Sequence, residues 1–317
     1  MPTAEPPRVS VVVRSHRRIP YLLELLAVLL RQRHDSFEVV VVEQTPDAFP
    51  GEAKALSVLE ADPRLRILDY PPLGGPRATN VGVRAARGAI VVLIDDDDLP
   101  ASDTWLREME AHFADTRIVG VTCRHVRRYG ESAPYVWRAL ARRCVLRYSA
   151  LMTPLTFARF DEDRTPVDWL HGTNSAVRRD VALAVGLWDE DVLNQQEHSF
   201  AFKLANWLRE TGQTDRYLVF RACPVAIRRT DVRGGMDKRK ATFEREIANQ
   251  ARFQHVVIGR YHAALYRRLR PIYRAQAFAR VLSWVWAGTR AVSFAQRLRE
   301  TVRLVSRFHA EDGSHRR

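Results

Sequence analysis

Three short runs rich in β-branched residues constrain this chain more than anything else in it: Val9–Val13 (VSVVV), Phe37–Val42 (FEVVVV) and Ala89–Ile94 (AIVVLI). Near-continuous apolar runs of this length, with no polar face, mark strands covered on both sides, as in a mostly parallel sheet. Between the first two lies Tyr21–Leu30 (YLLELLAVLL), a largely apolar helical segment with Pro20 near its first turn. Strand, helix and strand with short connections make a βαβ unit, which is right-handed with rare exceptions and requires parallel strands. A short third strand is predicted over Leu65–Leu68 and a helix over Arg77–Arg87, closed by Gly88, so that Ala89–Ile94 becomes the fourth strand. The first hundred residues read as a nucleotide-binding-type α/β half.

Four consecutive aspartates, Asp95–Asp98, follow that fourth run directly. They are therefore delivered to the carboxyl end of the sheet, where open α/β sheets bind ligands. Adjacent anions repel one another and lose hydration there unless a cation with a preference for hard oxygen neutralises some of them. The run predicts a divalent-metal site. Alternate residues of an extended segment face the same way, so Asp95 and Asp97 are expected to point at the ligand together. Asp96 or Asp98 is then left for another part of the ligand or for loop hydrogen bonds.

Further along, a helix is expected over Trp105–Phe113 and strand-rich chain over Ile118–Arg128, while Tyr129–Val167 mixes aromatics and arginines without a clear period. A long irregular insertion beside a site commonly shapes specificity. Gly172–Arg179 (GTNSAVRR) leads into a helix over Asp180–Val185, and Glu197–Arg209 is a helix with Phe200, Leu204 and Leu208 on one face. Beyond Gly234 and Gly235 the pattern turns almost wholly helical. A chain of 317 residues exceeds one core, and the expected division is an α/β domain over 1–235 and a basic helical extension over 236–317. Residues 238–317 hold 18 Lys and Arg against 5 Asp and Glu, which accounts for the whole net charge of +13. The body is thus charge-balanced, as in an enzyme carrying a basic appendage. Cys123, Cys144 and Cys223 lie far apart without metal-ligand spacing, which fits packing roles in a reducing compartment. The N-terminus lacks an apolar signal core and no stretch reaches about 18 uninterrupted apolar residues, so a cytoplasmic location is expected.

With these segments in order, the chain resembles the family 2 glycosyltransferases of the GT-A fold, inverting enzymes that use nucleotide-activated sugars. The resemblance runs over residues 8–235. VSVVVRSHRR is similar to the family's first strand and loop, FEVVVVEQTPD to its second strand with an acidic nucleoside contact, and GGPRATNVGVRAARG to the segment after the third strand. IDDDDLP resembles the DXD metal motif, and GTNSAVRRDVALAVGLWDE the segment before the family's Gly-(Phe/Trp)-Asp turn. The resemblance implies a GT-A, Rossmann-like, mostly parallel sheet flanked by helices, with the basic segment as a C-terminal helical extension. It also implies Mg2+ or Mn2+ on the donor diphosphate, held by Asp95 and Asp97, with Asp97 the direct ligand and Asp96 available to the ribose. Arg14, Ser15 and Glu43 fall where the family contacts the nucleoside, and Arg77 where it approaches the diphosphate. QQEHSFAFKL aligns with an acidic pair opening a helix, which makes Glu197 the general base, with Gln196 in place of the first acid. A shift of one residue would put His198 there instead, and histidine also titrates near neutrality. Where the family often places a metal-binding histidine after the last strand, this chain has Arg228, Arg229 and Thr230. Asn174 and Trp188 resemble pocket residues but fit equally a turn-capping Asn and a packed Trp.

The implied partners are a nucleotide-diphosphate sugar donor and a glycan, lipid-linked or small-molecule acceptor. Phe294, Leu298, Val302 and Val305 recur at helical spacing among arginines, with Trp284 and Trp286 upstream. Such a helix either packs its stripe on protein or lies on anionic lipid at the inner face of a membrane. Two other readings compete. One is a nucleic-acid-binding protein using the basic helices, against which the balanced body and the lack of a reading motif both count, so no nucleic acid is expected. The other is a nucleotidyltransferase of similar fold, against which Glu197 beside the GTN segment counts.

Overall fold

The structure, a computed structural model, describes residues 5–45, 50–127, 145–152, 154–156, 162–192, 195–229, 253–288, 299 and 302–303. The chain divides into two compact units, Met1–Gly235 and Met236–Arg317.

In the first unit the apolar runs form strands as their composition dictates: β1 (Val9–Ser15), β2 (Phe37–Glu43), β3 (Leu65–Asp69) and β4 (Ile90–Asp95). They lie in the order β3-β2-β1-β4 and every pairing among them is parallel. Helices α1 (Ile19–Leu29), α2 (Pro50–Leu59) and α3 (Gly75–Ala85) make the crossovers. The two-residue period of the strands separates two cores. Val9, Val11, Val13, Val39 and Val41 face α1 and the later helix α4 (Trp105–Ala111), burying Leu22, Leu25, Leu26, Trp105 and Met109. Val12, Val40, Val91 and Leu93 face the other side, with Val83 of α3 and with Phe200, Leu204 and Leu208. Covering both faces is what makes the runs almost continuously apolar.

Beyond β4 the sheet continues with β5 (Asp98–Pro100), β6 (Ile118–Arg127), β9 (Arg164–Val167), β10 (Ser175–Arg178) and β11 (Tyr217–Arg228), while β7 (Val145–Tyr148) and β8 (Pro154–Thr156) pair separately. Strand β10 is inserted antiparallel between β4 and β6, and β11 runs parallel to β6 and antiparallel to β5. Helices α5 (Arg179–Ala184) and α6 (Gln196–Glu210) lie over the second core.

The predicted helix over Arg77–Arg87 starts two residues earlier and ends at Ala85, so Gly88 is not its cap. A Cβ on Gly88 would lie 2.6 Å from Ser10 N and 2.7 Å from Val9 C, so glycine is needed because the chain crosses against the backbone of β1. The second unit contains a π-helical turn at Phe253–Ile258 and helix α7 (Ala263–Gly288), with Pro271 inside it. No described helix is long and apolar enough to cross a membrane. The side chains of Trp284 and Trp286, and Phe294, Leu298 and Val305, lie outside the described residues, as do residues 129–144 of the irregular stretch.

Candidate active site

The aspartate run divides at the end of the sheet. Asp95 closes β4, Asp96 and Asp97 form a turn, and Asp98 opens β5. Carboxylate oxygens of Asp95, Asp97 and Asp98 all lie within 4.8 Å of one another. The expected pair, Asp95 and Asp97, is therefore brought together, through a turn and not through extended alternation, and Asp98 joins it. Asp96, Asp97 and Asp98 are buried.

Buried carboxylates in contact require cations or donors. Three arginines from separate elements supply them. Arg14, next to the end of β1, reaches Asp95 Oδ1 with Nη2 at 3.0 Å and Nε at 3.1 Å. Arg18, at the start of α1, places Nη1 2.8 Å from Asp96 Oδ1 and 3.0 Å from Asp97 Oδ2. Arg228, the last residue of β11, lies 3.4 Å from Asp95, 3.1 Å from Asp97 and 3.3 Å from Asp98. Asp98 also accepts from His125 Nε2 at 2.7 Å and from Thr173 Oγ1 at 2.6 Å, and Thr173 Oγ1 accepts from the Asp95 N–H at 3.0 Å.

The proton affinities follow from these contacts. Burial pushes Asp96 up to about 7 despite Arg18, and raises Asp97 above the ordinary carboxylate range despite Arg228. Burial acts the same way on Asp98, but His125, Arg228 and Thr173 outweigh it and hold that carboxyl low. Burial disfavours the charge of Arg14, but Asp95 and Glu197 more than compensate, and its pKa is raised.

Glu197 sits in the first turn of α6. Its carboxylate packs on the backbone of Gly172, where an added Cβ would lie 2.5 Å from Oε1. Burial raises its pKa, while Arg14 and Gln196 hold it down. A Cβ on Gly75 would lie 3.1 Å from Arg14 Nη1 and 3.6 Å from Gln196 Oε1, so the first turn of α6 lies near Arg14, which acts electrostatically on both Asp95 and Glu197. A small cavity with room for about one water lies behind Glu197, lined by Leu93, His171, Ala176, Trp188 and Phe200 among others. His198 turns elsewhere. Its Nδ1 is 2.8 Å from the Tyr148 hydroxyl, its ring lies against Trp169 with centroids 4.8 Å apart, and burial pushes its pKa down to about 3.

The remaining predicted residues fall into two groups. Ser15 and Glu43 are register partners at the ends of β1 and β2. Both are buried, and Ser15 Oγ and Glu43 Oε2 have no hydrogen-bond partner among the described residues. Glu43 Oε1, by contrast, accepts from the N–H groups of Gln44 and Thr45 at 2.9 and 2.8 Å and from the Thr45 hydroxyl. Arg77 pairs with Glu190 on the surface, Nε to Oε2 at 2.9 Å. Asn174 and Trp188 take the packing roles. Asn174, with φ 48°, accepts from Trp105 Nε1 at 2.9 Å and donates to the carbonyls of Arg124 at 2.7 Å and Pro224 at 3.2 Å, while Trp188 stacks on Phe200.

Residues 10–186, more than half of the chain, match the family model for glycosyl transferase family 2. The chain belongs to that family. The described part of the fold agrees, since this family member superimposes with TM-score 0.55 on a mannosyltransferase from Pyrobaculum calidifontis in complex with GDP-Man and Mn2+, at 21% identity over 97% of this chain and 81% of that one. Staphylococcus aureus TarS 1-349 in complex with UDP-GlcNAc gives TM-score 0.56 at 14% identity, over 96% of this chain and 83% of that one. Among curated proteins, it is 33% identical over 105 residues to the uncharacterized glycosyltransferase EpsJ of Bacillus subtilis, covering 33% of this chain and 30% of EpsJ. It is 32% identical over 106 residues to the succinoglycan biosynthesis protein ExoO of Rhizobium meliloti, covering 33% of this chain and 29% of ExoO. The matched stretch spans less than a third of these curated relatives.

Arg18, His125 and Thr173 complete the site beyond the predicted set, and Arg228, which the sequence places near the family's metal-binding histidine, joins them. The sequence signal for two of them was the density of arginine just after β1 (RSHRR) and at the end of β11 (IRR). Nothing in the sequence singled out His125, and Thr173 was marked only by lying inside the GTN segment.

Proposed function

We propose that this chain is an inverting glycosyltransferase that moves a sugar from a nucleoside diphosphate sugar to an acceptor hydroxyl. The observation that carries the proposal is the clustering of the Asp95, Asp97 and Asp98 carboxylates at the carboxyl end of the sheet, with Arg14 bound to Asp95 and acting electrostatically on Glu197 as well. Three carboxylates with oxygens within 4.8 Å of one another suit a hard divalent cation such as Mg2+ or Mn2+. Asp95 and Asp97 would hold it, and when bound it would neutralise charge on the departing diphosphate. Ser15 and Glu43 each offer an unused buried oxygen at the neighbouring strand ends, which supports a role in binding the nucleoside. Asp96 remains the proposed ribose contact. Arg14 lies against Asp95 as well as at the nucleoside side of the site, and Arg77 is free to exchange Glu190 for phosphate.

Glu197 is the proposed base. It takes the proton of the acceptor hydroxyl as that oxygen forms a bond to the anomeric carbon, while the bond to the diphosphate oxygen breaks on the opposite face and the nucleoside diphosphate leaves. Burial raises its pKa and makes it a better base, while the nearby Arg14 favours its charged form. His198, with its low pKa and its hydrogen bond to Tyr148, instead fixes the aromatic wall beneath α6.

The proposed acceptor is a glycan, a lipid-linked sugar or a small molecule. The basic residues 236–317 are proposed as an extension that brings a cytoplasmic enzyme to an anionic membrane surface. The reading is tested by a thermal-shift screen of nucleotide sugars with and without Mn2+, followed by NMR of the product anomer. Stabilisation by one donor class, enhanced by metal, and an inverted product are expected. No stabilisation by any nucleotide sugar, or a retained anomer, would refute it.

A further inference from the structure

Arg228 stands opposite Asp98 in the antiparallel pairing of β11 with β5. That register, not a flexible surface approach, directs its guanidinium into the acidic cluster. It lies within 3.4 Å of each of the three carboxylates whose oxygens fall within 4.8 Å of one another, a space that admits one cation. Arg14 and Arg18 differ from it. The first touches Asp95 of the three, and the second approaches from Asp96 to reach Asp97. Arg228 alone, among the described residues, bridges the whole triad. Its Nε is buried without a well-aligned acceptor, although Asp98 Oδ1 is 3.3 Å away. The guanidinium is therefore held by charge and incompletely by hydrogen bonds, as befits an occupant that gives way.

We infer that Arg228 is a built-in cation that fills the metal position of the donor-free protein, so that a divalent ion enters only by displacing its guanidinium. The inference rests on the metal role proposed above for Asp95 and Asp97. Two consequences follow. The triad is stable without metal, since a cation is always present among its carboxylates. Metal alone binds weakly, because it must break three ion pairs before making its own, and the displaced arginine needs a new anion. A diphosphate is the anion best suited to its planar fork.

The test measures Mn2+ binding to the full chain without donor, by the loss of the free-ion signal in electron paramagnetic resonance. Arg228→Met should bind Mn2+ tighter than the unmodified protein by about tenfold or more, because the competing cation is gone and the carboxylates repel one another. Its melting temperature should fall without metal and recover with Mn2+. Arg229→Met, whose side chain pairs with Glu24, should leave Mn2+ affinity unchanged. Equal or weaker binding by Arg228→Met would overturn the inference. Should Arg228→Met fail to fold, the unmodified protein still decides. On titration with Mg2+, the Arg228 side-chain N–H resonance should shift as the ion binds, and binding with no shift would overturn the inference. Because metal affinity is read without donor or transfer, an inactive protein would leave the inference standing, and an active one with no Arg228 effect would overturn it alone.

Discussion

Substituting Gly172 by alanine separates catalysis from stability at this site. The new Cβ would stand 2.5 Å from Glu197 Oε1, 3.4 Å from Cδ and 3.6 Å from Cγ, so only the oxygen is too close. Restoring an ordinary contact of 3.4 Å moves that oxygen back by about 0.9 Å. The group that must move is the tip of a flexible side chain, so the fold accommodates it readily. Gly→Ala also favours the folded state by about 0.4–1 kcal/mol through the unfolded chain, which offsets small local strain. A general base, the role proposed for Glu197, is less tolerant, since a misplacement of about 1 Å costs on the order of 100-fold in rate. That is about 2.7 kcal/mol of barrier. Steady-state kinetics of Gly172→Ala should therefore show kcat down about 100-fold, with donor KM and melting temperature little changed. In a Glu197→Gln background the same substitution should cost nothing further, because the two act on one group. Turnover of Gly172→Ala within about threefold of the unmodified enzyme would refute the placement of the base.

Asn174→Ala removes one accepted and two donated hydrogen bonds at a fully buried position, and should cost about 3 kcal/mol in urea unfolding; a loss under about 1 kcal/mol would show the bonds to be dispensable. His198 is held near 3 in the folded protein against about 6.5 unfolded, so the unfolded chain binds the extra proton and stability must fall as pH drops below about 6.5. At pH 5 that contribution is about 2 kcal/mol, and His171, held near 4, acts in the same direction; His198→Gln should flatten the loss between pH 7 and 5, and an unchanged slope would contradict the burial argument. Glu43→Gln should weaken nucleoside diphosphate binding about tenfold by calorimetry, whereas unchanged affinity would confine Glu43 to holding its own turn.

The parts of this molecule that depend on local sequence were readable in advance. Runs such as FEVVVV can hardly be anything but covered strands, and an aspartate run fixed to the end of one of them can only emerge at the ligand edge. What escaped the sequence is set by distant partners. Helix α2 (PGEAKALSVL) buries little beyond Leu56, so its apolar period is faint. Strand β5 begins with an aspartate and exists because β11 pairs with it. Asn174 and Arg228 could be singled out in the sequence but their partners could not, since these lie 50 and more than 100 residues away, at Arg124 and at the aspartates. The choice between Glu197 and His198 was open by one residue of alignment. The helical geometry of α6 sends the first toward Arg14 and the second toward Tyr148, since neighbouring residues on a helix face different ways.

In the proposed function the acidic edge of the sheet grips the diphosphate of a nucleotide sugar through a cation. Isothermal titration of the matching nucleoside diphosphate, in Mn2+, into the unmodified protein and into Asp97→Asn tests it most directly. The account requires affinity to fall about tenfold or more in the variant, with binding of the unmodified protein weakened to the same level when the metal is chelated. Equal affinity in both proteins, with or without metal, would contradict it.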